Sequence, residues 1–340
     1  MITRRTLAGM GLAGLTLAAC GEGEGLTGAR RPGEIRFSIL ATQAGQSPQQ
    51  SWAPILIDMA AQTGLKVKPF FSSNAALLIE AMKSKMTDLG WFSARSGLEA
   101  IRRADGEVFA RAFDPAGVDG YTSVLIVSAK SKLTLARVLK CDKSLTLGVG
   151  DAFSASGALA PMTYLFAPRG IDPAACFKRP RPEASHQDNL SAVAAGRVDV
   201  ATSNSTVLRL DRRRGRHGAD AVRVIWESPI LPEDPIVWRK NLDPAVKEKL
   251  RQFFLTYGQG ESAEAARQRG YMARIDIGGF RPADDSLLLP VREMEATRVW
   301  LAAKRRGDGA RIAAAKKSLD AIRAERAALE ERTRAPAAAQ

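Results

Sequence analysis

The chain has 340 residues, with 50 Lys and Arg against 36 Asp and Glu and a formal charge of +14 at pH 7. Its length exceeds what one hydrophobic core normally serves, so two lobes are expected. The basic surplus points to nucleic acid, an acidic membrane surface or an anionic ligand, and two histidines are too few for a two-metal hydrolytic centre.

Residues 1–19 open with Arg4 and Arg5 and continue as an uncharged apolar stretch from Leu7 to Ala19. A basic n-region before about a dozen apolar residues is too short for a permanent span and reads as an export signal, which argues against nucleic acid as a partner. Leu17-Ala18-Ala19-Cys20 is similar to a bacterial lipobox. Cys20 is therefore the expected lipidation residue, and the chain is expected in the periplasm, held to the membrane by a lipid anchor. Thr3-Arg4-Arg5 with Leu7 matches part of a twin-arginine signal, so the export route stays open. Residues 20–33 are glycine-rich and read as a flexible tether. Removing residues 1–19 takes away only Arg4 and Arg5, so the body stays basic. Much of that charge lies at Arg212, Arg213, Arg214 and Arg216 and in the C-terminal tail, where solvated surface is the ordinary reading.

From Glu34 onward, strand-like apolar runs alternate with amphipathic helical ones. The strand candidates are 35–40, 65–71, 89–92, 108–112, 123–127, 145–149, 198–201 and 222–226, with a helix over 53–63 and helical crossovers between the others. This is α/β patterning, expected to give a mostly parallel sheet in each lobe. No Gly/Pro/Ser-rich linker divides the middle of the chain, which predicts a discontinuous arrangement: residues 34–129 and 229–290 in the first lobe, 130–228 in the second, and a ligand cleft between them at a hinge. Residues 239–258 and 263–268 read as helical and Gly278 to Pro282 as a turn. The tail beyond residue 290 reads as a long charged helix on which Ile312, Leu319, Ile322 and Leu329 fall near heptad spacing, fit to pack on the body or to pair two copies as a homodimer. Cys141 and Cys176 sit in neither a redox nor a zinc-type spacing. An oxidising compartment permits them to pair, but two separate buried thiols are the expectation.

Several segments resemble the phosphonate-binding proteins of phosphonate importers, a family within the phosphate, phosphite and phosphonate group of type II periplasmic binding proteins. They are the run from Trp52 to Met59, Gly120 to Val127, Gly150 to Gly157, Val198 to Asn204, Ser228 to Leu242 and Gly279 to Ser286. The run Asp234-Pro235-Ile236-Val237-Trp238-Arg239, in order after Ser154-Ala155-Ser156-Gly157 and His186, is the most specific part. The resemblance covers nearly the whole mature chain. It implies a two-lobed binding protein, not an enzyme, that takes a small phosphorus oxyanion and hands it to an ABC permease and its ATPase, with no cofactor.

The residues themselves fit that chemistry. Ser154, Ala155 and Ser156 stand between a strand and a helical run from Ala158 to Phe166, where free backbone N–H groups and hydroxyls face one anion; an ordinary N-cap is the plainer reading. Tyr121 enters the next strand and is a ligand residue by resemblance, although tyrosines capping strand ends are common. His186 stands just before an amphipathic helix expected from Gln187 to Ala195, and as imidazolium, its pKa raised by a nearby dianion, it would donate a charge-assisted hydrogen bond; His217 lies among arginines and reads as surface. Asp234 meets an anion only through a shared proton or a cation on the ligand, and otherwise caps a turn before Pro235. Departures from the family pattern are Ala75 for an early Tyr, Ala155 for Thr, Thr122 for Trp, Phe92 for Tyr, and Thr206 for a Glu suited to a ligand amine. An aminoalkyl group would lose its carboxylate partner, so the ligand's organic end is expected to be different, smaller or absent. Two other readings remain: a membrane-anchored sensing or docking protein of the same fold, and an exported phosphorus-ester hydrolase, which lacks a metal cluster and a Gly-x-Ser-x-Gly elbow.

Overall fold

Seven consecutive buried residues, Glu34–Leu40, form β1, an inner strand of one sheet. The computed structural model describes residues 32–40, 47–150 and 154–334, all within one unit of the chain that begins at Pro32. The signal segment, Cys20 and nearly all of the tether lie outside the described residues. After β1, α1 (Pro48–Thr63) starts behind Ser47, whose hydroxyl accepts from the Gln50 amide, and ends at Gly64 in the left-handed region. Trp52, Ile55, Leu56 and Met59 on one face of α1 are buried, the i, i+3, i+4, i+7 stripe of a helix laid on a sheet.

β2 (Lys66–Ser72) pairs with β1 in parallel; α2 (Ala75–Lys83) then leads to β3 (Leu89–Trp91), which flanks β1 on the other side. α3 (Ala94–Ala104) precedes β4 (Gly106–Phe113), and the chain then crosses to a second sheet. That sheet contains β5 (Ser123–Ser128), β6 (Thr146–Gly150), β7 (Arg179–Ala184), β8 (Val200–Asn204) and β9 (Val222–Glu227), in the order β7-β6-β8-β5-β9. Between these strands run α4 (Leu135–Val138), a π-helical stretch over Ala155–Leu159 and Pro161–Phe166, α5 (Pro173–Cys176), α6 (His186–Ala194) and α7 (Ser205–Arg213). The chain returns to the first sheet at β10 (Pro235–Arg239), passes through α8 (Pro244–Thr256) and α9 (Ala263–Arg274), and adds β11 (Gly279–Pro282), completing the order β11-β4-β10-β3-β1-β2. The two crossing segments pair with each other: Tyr121 N donates to Leu231 O at 3.1 Å and Leu231 N donates back to Tyr121 O at 2.7 Å. β5 already belongs to the second sheet, so the outward crossing falls before Ser123 and not at residue 130.

Neither sheet is mostly parallel. β10 runs antiparallel to both β3 and β4, β11 antiparallel to β4, and β5 antiparallel to β8 and β9. β10, β11 and β5 therefore enter as reversed strands within otherwise parallel writing. β10 lies inside the stretch just before the expected helix at 239. All five of its residues are buried, and Arg239 is held by Asp88 at 2.6 Å and the Thr87 carbonyl at 3.1 Å, so the helix waits for the Asp243 cap. Residues 278–282, read as a turn, form β11 instead. A Cβ at Gly278 would stand 2.3 Å from the Asp114 carbonyl oxygen, which is the close approach that edge pairing demands. β7 is a further strand with two prolines, confined to an edge where only β6 pairs with it.

Under the first sheet Trp238 stacks on Phe109 with ring centroids 3.8 Å apart, amid a cluster of Phe37, Trp52 and Phe254. The tail is a helical hairpin: α10 (Leu289–Arg306) turns at Gly307 into α11 (Gly309–Arg334). Leu319 is fully buried with Ile312, Ile322 and Leu329 half-buried along the same stripe, and Arg323 and Arg326 reach Glu293 of α10 at 2.9 Å each. Glu295 of α10 accepts from Arg95 and Arg102 of α3, which fastens the hairpin to the body. The expectation of separate thiols is overturned: Cys141 and Cys176 are joined as a disulfide. Folding brings α4 and α5 together, a proximity that their 35-residue separation does not reveal. Among the described residues no helix is long and apolar enough to cross a membrane.

Candidate functional site

β6 ends at Gly150, and Ser154 caps the helix that follows, its Oγ accepting from Gly157 N at 2.9 Å. The winding from Ala155 is π-type, with Leu159 N bonded to Ser154 O at 3.2 Å, and it begins three residues before the helix expected at Ala158. Its first amides have no helical acceptor and carry the positive end of the dipole. Ser123 Oγ donates to Ser156 O at 2.5 Å and Thr202 Oγ1 to Gly157 O at 2.8 Å, so two strands of the second sheet hold this turn. A Cβ at Gly157 would lie 2.9 Å from Gly150 Cα and 3.1 Å from His186 Cε1. Glycine there lets the helix start, the strand end and the imidazole meet.

His186 begins α6 one residue ahead of the expected start, behind a capping box made by Ser185 and Asp188. Its Nε2 lies 3.0 Å from Ser156 Oγ and 3.4 Å from Ser154 Oγ, and Asn204 Nδ2 reaches Ser156 Oγ at 3.4 Å. His186 Nδ1 is buried with no hydrogen-bond partner. Burial pushes the imidazole down to about 4, so at neutral pH and without an anion the ring is uncharged. Tyr121 stands at the crossing and its phenol is pushed far above the usual tyrosine range, by burial first and then by the charges of Asp234 and Glu233. It is a permanent donor.

Tyr121, Ser154, Ala155, Ser156, His186, Thr206 and Asp234, the residues singled out in the sequence, all line one cleft of about 560 Å³. Trp91 and Ala75 enter it from the first sheet, and the buried Trp91 Nε1 has no partner. Phe92 does not line it and is fully buried in the core; Thr122 turns its hydroxyl to Glu227 at 2.5 Å. Sequence reasoning passed over Asn204, Glu233 and Arg209. Asn204 closes a quoted segment and also caps α7 through Val207 N at 2.8 Å, a dual use that its spacing does not reveal. Glu233 adjoins Asp234, and adjacency to a marked carboxyl was the signal available for it.

The cleft has two electrostatic ends. Hydroxyls, free amides and the imidazole gather around Ser156. At the other end burial raises Asp234 to about 7, and burial together with the charge of Asp234 raises Glu233 to about 8, with Arg209 opposing. Near neutrality Glu233 is mostly and Asp234 partly protonated, so the pair can donate and offers an anion less repulsion than two carboxylates would.

Residues 37–288 match the family model described as the periplasmic substrate-binding protein of phosphonate ABC transporters. The chain is 38% identical over 261 residues to the phosphonates-binding periplasmic protein of Escherichia coli strain K12, covering 76% of this chain and 75% of that one. It superposes with a TM-score of 0.74 and 39% identity on the crystal structure of a binding-protein component of an ABC phosphonate transporter from Pseudomonas aeruginosa, covering 89% of this chain and 98% of that one. A Prochlorococcus marinus protein solved with methylphosphonate shares the fold, with a TM-score of 0.66 at 17% identity over 78% of this chain and 97% of that one. With its two mixed sheets, its cleft and a sequence match across most of its length, the chain belongs to the family of periplasmic substrate-binding proteins of phosphonate ABC transporters.

Proposed function

We propose that the chain captures a phosphonate, or a phosphite- or phosphate-like oxyanion, by closing two lobes around it, and delivers it to the permease and ATPase of an importer. The lobes are residues 34–129 with 229–290 and residues 130–228, adjusted so that β5 moves with the second. The observation that carries this reading is the convergence of Ser154 Oγ and Ser156 Oγ on His186 Nε2 at a helix start inside the cleft. Phosphorus oxygens would accept from both hydroxyls, the first amides, the imidazole and the Tyr121 phenol. A protonated Asp234 would donate to one more. No bond is broken in this cycle; closure dries the site and strengthens each hydrogen bond.

The organic end would meet Ala75, Ala155 and Thr206, small side chains that leave room without a carboxylate at position 206. Export by residues 1–19, diacylation of Cys20 and the tether of residues 20–33 would hold the protein at the membrane. Pairing of two copies through the tail is the weaker part of the reading, because the Leu319 stripe is already turned toward α10. A thermal-shift panel with methylphosphonate, aminoethylphosphonate, phosphite and phosphate tests the function. A ligand at a hundred times its Kd adds about 2.7 kcal/mol of stability, an upward shift of several degrees. No shift with any of the four would sink the capture reading and favour a docking or sensing role.

A further inference from the structure

One set of charges joins the two sheets beside the ligand cleft. Arg209 of α7, on the second-sheet side, donates from Nη1 to Asp114 Oδ2 at 2.6 Å and from Nη2 to Asp276 Oδ2 at 2.7 Å. Asp114 directly follows β4 and Asp276 lies just ahead of β11, so both acceptors belong to the first sheet. Arg213, one turn further along α7, places Nη1 2.9 Å from Asp276 Oδ1. The two carboxylates are 3% exposed, whereas the Arg209 side chain keeps 31%.

The acceptors are fixed in place. Asp114 Oδ1 takes the amides of Ala116 and Val118 at 2.9 and 2.8 Å, and Asp276 sits in a turn at φ +59°. A carboxylate so placed rehydrates when the lobes part and loses its cation to the other lobe. Within the closed arrangement it is desolvated and depends on that cation. We propose that Arg209, seconded by Arg213, is a closure latch: a positioning residue whose ion pairs across the two lobes set how long a captured ligand stays. The inference rests on the lobe-closure reading. It assigns retention to the latch and recognition to the serine and histidine end, so losing the latch lowers the closed fraction and raises the apparent Kd in proportion.

The test pairs Arg209→Gln with Asp114→Asn, the second keeping its Oδ1 acceptor for the turn. Arg212→Gln serves as control, because Arg212 faces Asp220 on the exposed side of α7. Stopped-flow fluorescence of Trp91 with methylphosphonate is expected to show dissociation about tenfold faster in both latch variants, with association within about twofold of the parent. Small-angle scattering of the ligand-free proteins is expected to show a larger radius of gyration for both, and no change for the control. Slower association at unchanged dissociation overturns the latch. So does a loss confined to Arg209→Gln, which marks a direct ligand contact. If the parent binds none of the four oxyanions, the capture reading fails, and the scattering comparison alone decides the latch: equal radii overturn it.

Discussion

The two ends of the cleft solve opposite problems with opposite chemistry. Around Ser156 the donors are neutral and supplied by the fold itself: hydroxyls on a turn whose Ser156 carbonyl Ser123 holds, a helix start, and an imidazole held uncharged by burial. Around Asp234 the groups are acids that burial keeps partly to mostly protonated near neutrality. In the proposed reading the first end would bind the anion without needing a formal positive charge. The second would tolerate the anion better the more of its protons it keeps, so the pH dependence of ligand binding should come from the acid end and most of the affinity from the serine end.

The sharpest way to break that division is Ser154→Ala with Ser156→Ala. Removing two hydroxyls from a charged ligand should cost about 3 kcal/mol, roughly a hundredfold in methylphosphonate Kd by calorimetry, with an unchanged circular dichroism spectrum. Replacing His186 by Ala should cost about tenfold in the same assay. Its ring stays neutral when folded down to about pH 4, whereas an unfolded histidine takes its proton near 6.5. Stability of the parent should therefore fall as pH drops from 6.5 toward 4, and the alanine variant should lose that slope in urea titrations.

Asp234→Asn tests the acid end. The unfolded carboxyl titrates near 3.9 and the folded one at about 7, so between those values the native state holds a proton that the unfolded state has released. Stability then falls as pH rises through the window, and the penalty is complete above 7. The asparagine variant should be more stable than the parent by up to about 4 kcal/mol at pH 8 and about equal to it at pH 4 in urea titrations. Parent affinity for methylphosphonate should weaken above pH 7, and that dependence should flatten in the variant. The smallest effect belongs to Glu233→Gln. It should gain stability in the same sense up to about pH 8 while shifting methylphosphonate Kd by less than about threefold. A larger shift would place Glu233 among the groups that read the ligand.

Much of the first sheet was legible because its strands are short apolar-rich runs, several alternating as in Ile35, Phe37 and Ile39, separated by amphipathic helices such as α1. β10 and β11 were not. Each is short, one ends in an arginine buried against Asp88, and the other consists of residues that ordinarily make turns, so tertiary pairing with β4 decided both. β7 was hidden by its prolines. At the site, Ser154, Ser156, His186, Asp234 and Tyr121 were found through motif order, and the structure brings all five to one cleft. Protonation states were out of reach, since the neutral His186 and the raised Asp234 arise from burial that no local pattern encodes. Arg209 was also hidden: it stands in an arginine-rich stretch where solvated surface is the ordinary reading, and its acceptors lie 95 and 67 residues away.

The bond between Cys141 and Cys176 ties the second sheet's chemistry to geography. A cross-link closing a loop of that size removes about 3–4 kcal/mol of unfolded-chain freedom, and it forms only where thiols are oxidised. The half of the molecule that carries Ser154 and His186 therefore gains its staple only in an oxidising compartment, and the periplasm where this family works is one. Reduction of this one bond would thus loosen the serine and histidine side of the cleft while leaving the first sheet's core untouched.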